Sequence, residues 1–173
     1  MKGHLILVGL PGSGKSTVGP LVAAALGCAF LDFDVEIERR EGSSVQEIFA
    51  AKGEAHFREI ERALTMELKA APPMVLAPGG GWITSSGNLE LLSPPATSLY
   101  LSVSPGVALS RMGEAAAARP LLTGAAPLAA LQRLLEQREQ LYLQANHTLS
   151  TDLLAPPDVA VRIIELAGAG NRD

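Results

Sequence analysis

Short apolar runs alternate along the chain with longer segments in which apolar residues recur at helical spacing. One helical segment covers 56–71, where Phe57, Ile60 and Leu64 fall on one face and Pro72 stops the pattern. A strand followed by a helix, repeated along the chain, predicts an α/β fold: a parallel sheet with helices on both faces. The runs that predict strands are 4–8, 28–32, 74–77, 97–103 and 147–151.

Caps and helix breakers set several boundaries. Ser44 and Glu47 fit a capping box that starts a helix, and Gly53 is predicted to end it. A loop rich in alanine and glycine covers 113–126 and precedes a long amphipathic helix. Because the chain shows no internal repeat and no linker, we expect residues 1–173 to form a single domain.

Composition narrows the class of protein. Hydrophobic residues make up 47% of the 173 residues and charged residues 18%, which argues against extended disorder. The formal net charge of −4 argues against a general nucleic-acid binder. A single cysteine, Cys28, leaves no internal disulfide. The apolar run 4–8 is far too short for a signal peptide or a membrane span, so we expect a soluble, cytoplasmic protein with no membrane partner.

The stretch GLPGSGKST at 9–17 carries the first chemical signal. It matches the G-x-x-x-x-G-K-[ST] pattern and lies between a predicted strand and a predicted helix. Glycines let backbone N–H groups turn toward anionic oxygens, Lys15 would reach the β- and γ-phosphates, and the Ser16 hydroxyl would ligate Mg²⁺. The alternative is a glycine-rich turn without a ligand, but no structural need explains the Lys-Ser pair. The nucleotide-binding residues predicted from the motif are Gly12, Ser13, Gly14, Lys15, Ser16 and Thr17.

Two carboxylates follow the second predicted strand. Asp32 and Asp34 are two residues apart, so on an extended backbone both side chains leave the same face, at the carboxyl end of a parallel strand. One could hold hydrated Mg²⁺, and the other could orient an attacking hydroxyl or accept its proton. The alternative is that they cap the helix that begins near Val35. Spacing alone leaves both hypotheses open.

Three arginines and a glycine run complete the candidate set. Arg58 lies beside the apolar stripe of its helix, and Glu61, three residues on, could hold it in place. Arg119 stands in the alanine-rich loop, whose composition suits a mobile flap, and Arg138 lies on the long helix. The glycines at 79–81 follow a strand, and glycines at such a position are typical of backbone that approaches a ligand closely. The alternatives are that the arginines are solvated surface charges and that the glycines form a plain flexible turn.

Taken in order, these segments resemble the shikimate kinase family across nearly the whole chain. The resemblance implies a three-layer P-loop kinase fold, with a five-stranded parallel sheet and a mobile lid at about 113–126. It also implies transfer of the ATP γ-phosphate to the 3-hydroxyl of shikimate, with Mg²⁺, by a cytoplasmic monomer on the route to chorismate and the aromatic amino acids. The matching segments are LVGLPGSGKSTVG, LDFDVEIERREGSSVQEIFAAKGEAHFREIE, GGG, RPLL and REQLY.

The resemblance implies a role for each candidate residue. Asp34 would act on the reacting hydroxyl as base or orienter, and Asp32 with Ser16 would hold Mg²⁺. Arg119 resembles the lid arginine that reaches the transferring phosphate, which makes it catalytic together with Asp34 and Lys15. The residues implied in shikimate binding are Asp34, Arg58, Glu61, Gly79, Gly80, Gly81 and Arg138.

Two further pairs follow from the resemblance. Arg111 and Pro157 fall where the family sandwiches adenine, so they join Arg119 among the residues that would contact ATP. Phe49 and Phe57 could wall the shikimate pocket, although their helical spacing fits plain core equally well.

Two other functions stay open from the sequence. One is a small-molecule kinase with another acceptor, such as a gluconate-type kinase. The other is a switch that binds ATP without transferring phosphate. Arg58, Arg138 and the glycine run favour shikimate, because they match its carboxylate and hydroxyls. A switch would need neither Asp34 nor Arg119.

Overall fold

The computed structural model describes residues 2–122 and 126–169. Its strands are β1 (Leu5–Val8), β2 (Phe30–Asp32), β3 (Val75–Ala77), β4 (Thr97–Ser102) and β5 (His147–Ser150). Its helices are α1 (Lys15–Leu26), α2 (Phe33–Glu41), α3 (Val45–Leu68), α4 (Asn88–Leu92), α5 (Pro105–Met112), α6 (Pro127–Tyr142) and α7 (Pro156–Ala169). Short 3₁₀ turns cover Trp82–Thr84, Gly113–Ala118 and Pro120–Leu122.

The strands form a five-stranded sheet in the order β2-β3-β1-β4-β5, with parallel pairing throughout. This confirms the predicted α/β class and the predicted strands. β1 is central, with Leu5 opposite Val75 of β3 on one side and Thr97 of β4 on the other. The chain after β1 continues toward β2 and β3, whereas β4 and β5 extend the sheet the other way. Ligands of open parallel sheets bind at the carboxyl end of such a strand, where the order reverses.

Side-chain alternation along β1 places apolar residues on both faces of the sheet. Leu5 and Leu7 pack against residues of α1 and α7 on one face. Ile6 and Val8 belong to the core on the other face, together with residues of α2, α3 and α6. All four side chains are buried, and removing them from water requires helices on both sides. The result is the predicted three-layer arrangement.

The helices depart from the predicted boundaries at two places. The capping box at Ser44 is present, but α3 does not stop at Gly53 and runs on to Leu68. Gly53 has φ 80° and ψ 171°, so two helical segments meet there at a kink. The sequence pattern predicts the break and a second helix at 56–71, but the second segment begins directly after Gly53 and ends at Leu68. It also misses α4, whose five residues carry little periodicity.

The segment predicted to be a lid, 113–126, is described up to Leu122 and again from residue 126. Its described part forms 3₁₀ turns that contact α3, α5 and α6. Residues 123–125 of the predicted lid lie outside the described residues. None of the helices in the described part of the chain combines the length and the apolar character that crossing a membrane requires.

Candidate active site

The glycine-rich loop after β1 has a shape that other residues would not adopt. Gly12 has φ 80°, and a Cβ there would lie 2.5 Å from the carbonyl oxygen of Ala108 on α5. Gly14 has φ 98° and stands at the N-cap of α1. Both are left-handed backbone positions that glycine adopts without strain. The N-terminus of α1 therefore opens onto a cavity above the loop, where its first N–H groups can meet an anion.

Lys15 lies inside this loop and is 8% exposed. Its Nζ donates to the carbonyl oxygens of Gly9 at 2.9 Å and Leu10 at 3.0 Å and to Oγ of Ser13 at 3.3 Å. Burial, and then the charge of Arg119, lowers the pKa of Lys15 to about 8, while Asp34 acts in the opposite direction. An anion bound in the cavity would raise that pKa, because it favours the ammonium form.

Asp32 contacts both α2 and the glycine-rich loop. Its Oδ1 accepts the N–H groups of Asp34 at 3.0 Å and Val35 at 3.4 Å, which confirms the capping hypothesis for this residue. Its Oδ2 accepts the hydroxyl of Ser16 at 2.5 Å. Hard oxygen donors of this kind, one or two from the protein, are what Mg²⁺ takes at phosphate sites. The Ser16–Asp32 pair therefore fits that ion.

Asp34 reaches the cavity by another route than the sequence predicts. α2 begins at Phe33, so the backbone is not extended from Asp32 to Asp34, and that premise is wrong. Asp34 instead projects from the first turn of α2, yet both carboxylates line the same cavity. Its Oδ2 accepts a hydrogen bond from Nη1 of Arg119 at 2.8 Å. Burial raises the pKa of Asp34, and the charge of Arg119 opposes the rise.

Two adjoining cavities make up the site. The larger, of about 470 Å³, lies above the glycine-rich loop and extends to Arg111. The smaller, of about 60 Å³, is lined by Arg58, Arg138 and the glycine run. Asp34 and Arg119 line both cavities, so their ion pair stands at the junction. A phosphate tail in one cavity and an anionic acceptor in the other would meet at this pair.

Arg58 is held by two carboxylates. Its Nη1 donates to Oε2 of Glu61 at 2.5 Å, the contact that helical spacing predicts. Its Nη2 and Nε donate to Oε1 of Glu54 at 2.7 and 3.2 Å. Glu61 is fully buried, and burial raises its pKa to about 7 against the charge of Arg58. Sequence reasoning missed Glu54, although a spacing of four residues from Arg58 is a salt-bridge signal.

The glycines at 79–81 pack against charged side chains. A Cβ on Gly81 would overlap the guanidinium of Arg58. A Cβ on Gly79 would lie 2.9 Å from Oε1 of Glu61 and 3.0 Å from Oδ1 of Asp34. The run is therefore glycine because of close packing, and the alternative of a plain flexible turn is wrong.

The other walls of the smaller cavity come from α3 and α6. Arg138, which is 6% exposed, faces the cavity from α6. Phe49 and Phe57 have ring centroids 4.9 Å apart, and they belong to the core as well as to the cavity wall. Sequence reasoning assigned no role to Tyr142, whose hydroxyl contacts Gly80. Those residues are 62 positions apart, so no local pattern signals the contact.

Arg111 and the segment before α7 form the far end of the larger cavity. Arg111 donates to the hydroxyl of Thr151 at 3.0 Å and to its carbonyl oxygen at 2.5 Å, which fixes the plane of the guanidinium. Pro156 lines the cavity there in place of the predicted Pro157. Both prolines lie in the first turn of α7, and the sequence alone does not tell which of two adjacent prolines lines the cavity.

Comparisons with known proteins point to one family. A family model described as Shikimate kinase matches residues 11–167. A shikimate kinase from Synechococcus sp. (strain RCC307) is 40% identical over 162 residues, which cover 94% of this chain and 83% of the relative. A solved structure of shikimate kinase from Acinetobacter baumannii in complex with shikimate has 37% identity and a TM-score of 0.93, and the match covers 99% of this chain and 96% of that one.

The structural likeness extends to a gluconokinase. Its structure, from Sinorhizobium meliloti 1021, has 23% identity and a TM-score of 0.56, and the match covers 97% of this chain and 93% of that one. A likeness at that level shows the fold alone. It gives no support to a gluconate-type reading of the site.

Proposed function

The chain belongs to the shikimate kinase family, and on that premise we propose how its two cavities divide the reaction. The reaction transfers the γ-phosphate of ATP to the 3-hydroxyl of shikimate, giving shikimate 3-phosphate and ADP on the route to chorismate and the aromatic amino acids. The larger cavity takes ATP and the smaller takes shikimate. The observation that carries this assignment is the Asp34–Arg119 ion pair at the junction of the two cavities.

The glycine-rich loop after β1, which is the P-loop of this fold, holds ATP by its phosphates. Backbone N–H groups from Gly12 to Thr17 surround the anionic oxygens, and Nζ of Lys15 reaches the β- and γ-oxygens. Ser16 and Asp32 would hold Mg²⁺, which when bound neutralises negative charge on these oxygens. The P-loop side of the site therefore fixes the γ-phosphate at the edge nearest Asp34 and Arg119.

The adenine lies at the far end of the larger cavity. Because Thr151 fixes the plane of the Arg111 guanidinium, that side chain offers a flat cationic surface to an aromatic base. Pro156, in place of Pro157, closes the other side. The base is enclosed by shape and stacking in this arrangement.

Shikimate is held at its carboxylate and at its reacting hydroxyl. Arg58 and Arg138 bind the carboxylate, because a guanidinium fork matches its geometry. The glycine run offers backbone N–H groups to the same substrate. Asp34 then lies beside the 3-hydroxyl, which it orients and whose proton it accepts as the phosphoryl group arrives. Glu61 keeps Arg58 in place during this step.

Arg119 supplies the remaining positive charge, and the lid that carries it covers the substrates. A transferring phosphoryl group needs positioning and charge neutralisation more than covalent help. Arg119 already contacts Asp34 at the junction, so a small movement would carry its guanidinium onto the transferring group. Closure of the 113–126 segment over both substrates would also exclude water that could hydrolyse ATP.

The proposal also covers the domain organisation, oligomeric state, location and partners of the protein. Residues 1–173 act as a single domain, as a cytoplasmic monomer without a nucleic-acid or membrane partner. The formal net charge of −4 supports the part that concerns nucleic acid, since a polyanion would be repelled.

Release of ADP tests the proposed function directly. Purified protein is assayed with Mg·ATP, with and without shikimate, and with gluconate as the comparison acceptor. We expect strong stimulation by shikimate and none by gluconate. Stimulation by gluconate would identify a gluconate-type kinase, and ATP binding without stimulation by either acceptor would favour the switch.

Binding of ATP should weaken at high pH because of Lys15. The pKa of Lys15 is lowered to about 8 in the free protein, so the neutral amine dominates above that pH, whereas bound phosphates favour the ammonium. The dissociation constant for Mg·ATP should therefore rise above about pH 8, by up to roughly tenfold per pH unit. Titration calorimetry in buffers of different ionisation enthalpy measures both the constant and the proton taken up. A constant that does not change with pH, with melting curves showing an intact fold, would contradict the prediction.

Substituting Gly81 by alanine should weaken shikimate binding selectively. The new methyl group would overlap the Arg58 guanidinium, which Glu54 and Glu61 hold, so the carboxylate contact is disturbed. We expect KM for shikimate to rise roughly 10–100-fold, the worth of a charge-assisted contact, with little change in KM for ATP. Gly106→Ala is the matched control, because a Cβ there meets nothing. Equal rises in both KM values would show a general disturbance of the fold instead.

A further inference from the structure

Tyr142 joins the end of α6 to the glycine run after β3. Its side chain is 1% exposed, and its hydroxyl donates to the carbonyl oxygen of Gly80 at 2.5 Å. Its ring stacks on Tyr100 of β4, with centroids 5.0 Å apart and planes 20° from parallel. The phenol is thus packed against the sheet and paired at its polar end, so it holds the Gly80 carbonyl in one direction.

The three carbonyls of the glycine run are all held, and by different groups. The oxygens of Gly79 and Gly81 accept N–H groups of the following 3₁₀ turn, each at 3.0 Å. The middle carbonyl, on Gly80, is the one that Tyr142 holds. The turn therefore fixes the two ends of the run, and a side chain from α6 fixes its centre.

The direction of the Gly80 carbonyl decides where an amide proton points. In a trans peptide the C=O and N–H of one unit face opposite ways, so the N–H of Gly81 points away from Tyr142. A peptide unit between two glycines rotates more easily than one between other residues. The contact with Tyr142 therefore fixes an orientation that the backbone alone would not fix. In the ranges 2–122 and 126–169, the N–H groups of Gly80 and Gly81 donate to no other backbone group. Both residues line the smaller cavity, where a ligand can accept from them.

Arg138 lies one helical turn before Tyr142, so α6 presents both on the same face. Arg138 lines the smaller cavity, and Tyr142 lies behind the glycine run that lines it too. Burial raises the pKa of Tyr142 to about 12, although the charge of Arg138 and a hydrogen bond between the two side chains oppose the rise. The hydroxyl therefore stays a donor over the whole neutral pH range.

We propose that Tyr142 is a positioning residue for the phosphoryl acceptor: through the Gly80 carbonyl it directs the N–H of Gly81 into the acceptor cavity. The proposal rests on the proposed function, since it takes shikimate as the acceptor. An oxygen of shikimate receives that N–H while Arg138 binds the carboxylate. One helix thereby sets two contacts to the same substrate.

The test removes one hydroxyl at a time from the stacked tyrosine pair. Tyr142→Phe keeps the ring and removes the hydroxyl, with its contacts to the Gly80 carbonyl and to the Arg138 side chain, and Tyr100→Phe is the matched control. We expect KM for shikimate to rise roughly tenfold in Y142F, about the worth of one hydrogen bond, with KM for ATP unchanged and kcat within about threefold. Y100F should leave all three constants near those of the wild type. A merely structural tyrosine would lower the melting temperature without separating the two KM values.

The outcomes separate this proposal from the function on which it rests. Wild-type protein that shikimate fails to stimulate would overturn both. Stimulated wild-type protein with an unchanged KM for shikimate in Y142F would overturn the role of Tyr142 alone. A second test uses the unmodified protein, so it does not depend on whether Y142F folds. In wild-type protein with isotope-labelled glycine, shikimate should shift the amide proton of Gly81, and an unmoved signal would again overturn the role.

Discussion

Replacing Arg119 by alanine should lower the turnover number roughly a thousandfold, while the affinity for shikimate changes far less. The guanidinium stands at the junction of the two cavities, 2.8 Å from Oδ2 of Asp34. At that position it neutralises charge on the transferring phosphoryl group, a contribution made in the transition state and not in the bound ground state. Steady-state kcat and an equilibrium dissociation constant for shikimate, measured on the same preparation, check the two parts separately.

Two further variants make the Arg119 result specific. Arg133→Ala removes an exposed arginine of α6 that lines neither cavity, and it should leave kcat unchanged. Arg119→Lys keeps the charge but loses the planar fork, so we expect a turnover between those of the wild type and the alanine variant. A large loss of shikimate affinity with turnover preserved would show that Arg119 binds the acceptor and does not act on the phosphoryl group.

The sheet could be predicted because its signal is local. The inner strands β1 and β3 are short apolar runs that are buried along their whole length, and Leu5 to Val8 of β1 show why such a run does not alternate with polar residues. The glycine-rich loop could be predicted for a similar reason, since its backbone shape demands glycine at the two fixed positions of the motif, Gly9 with φ 148° and Gly14 with φ 98°. Local signals failed where an element is very short, as in α4, and they misplaced the bounds of the helical segment after Gly53 by a few residues.

The candidate site was predictable in its parts but not in its assembly. The three-residue spacing of Arg58 and Glu61 predicts their ion pair, because side chains three residues apart on a helix are neighbours. The contact of Asp34 with Arg119 spans 85 positions, and periodicity carries no information at that range. Tyr142 went unassigned for the same reason, since its partner is a backbone carbonyl in a distant loop. Long-range polar contacts of this kind depend on where the sheet order places each strand end.

Changing Asp34 to asparagine should lower kcat by about a hundredfold to a thousandfold, because positioned bases contribute about that much. The substitution keeps the shape of the side chain and one acceptor oxygen, but it removes the charge and the ability to take a proton. Binding of shikimate and of ATP should change much less than kcat, since Arg58 and the P-loop are untouched. Asp158→Asn, at an exposed aspartate in the first turn of α7, is the matched control.

The pH dependence of kcat decides what Asp34 does. Burial raises the pKa of Asp34. As the pH falls, its carboxylate is therefore protonated at a higher pH than that of an ordinary aspartate. If Asp34 is the base, activity should fall as pH drops through this raised pKa, and that limb of the profile should vanish in Asp34→Asn. If Asp34 only orients the 3-hydroxyl, the amide oxygen of asparagine can still accept a hydrogen bond, and kcat should fall less than about tenfold. A hundredfold loss that leaves the acid limb in place would assign the proton transfer to another group, and Glu61, with a pKa raised to about 7, would be the next residue to replace.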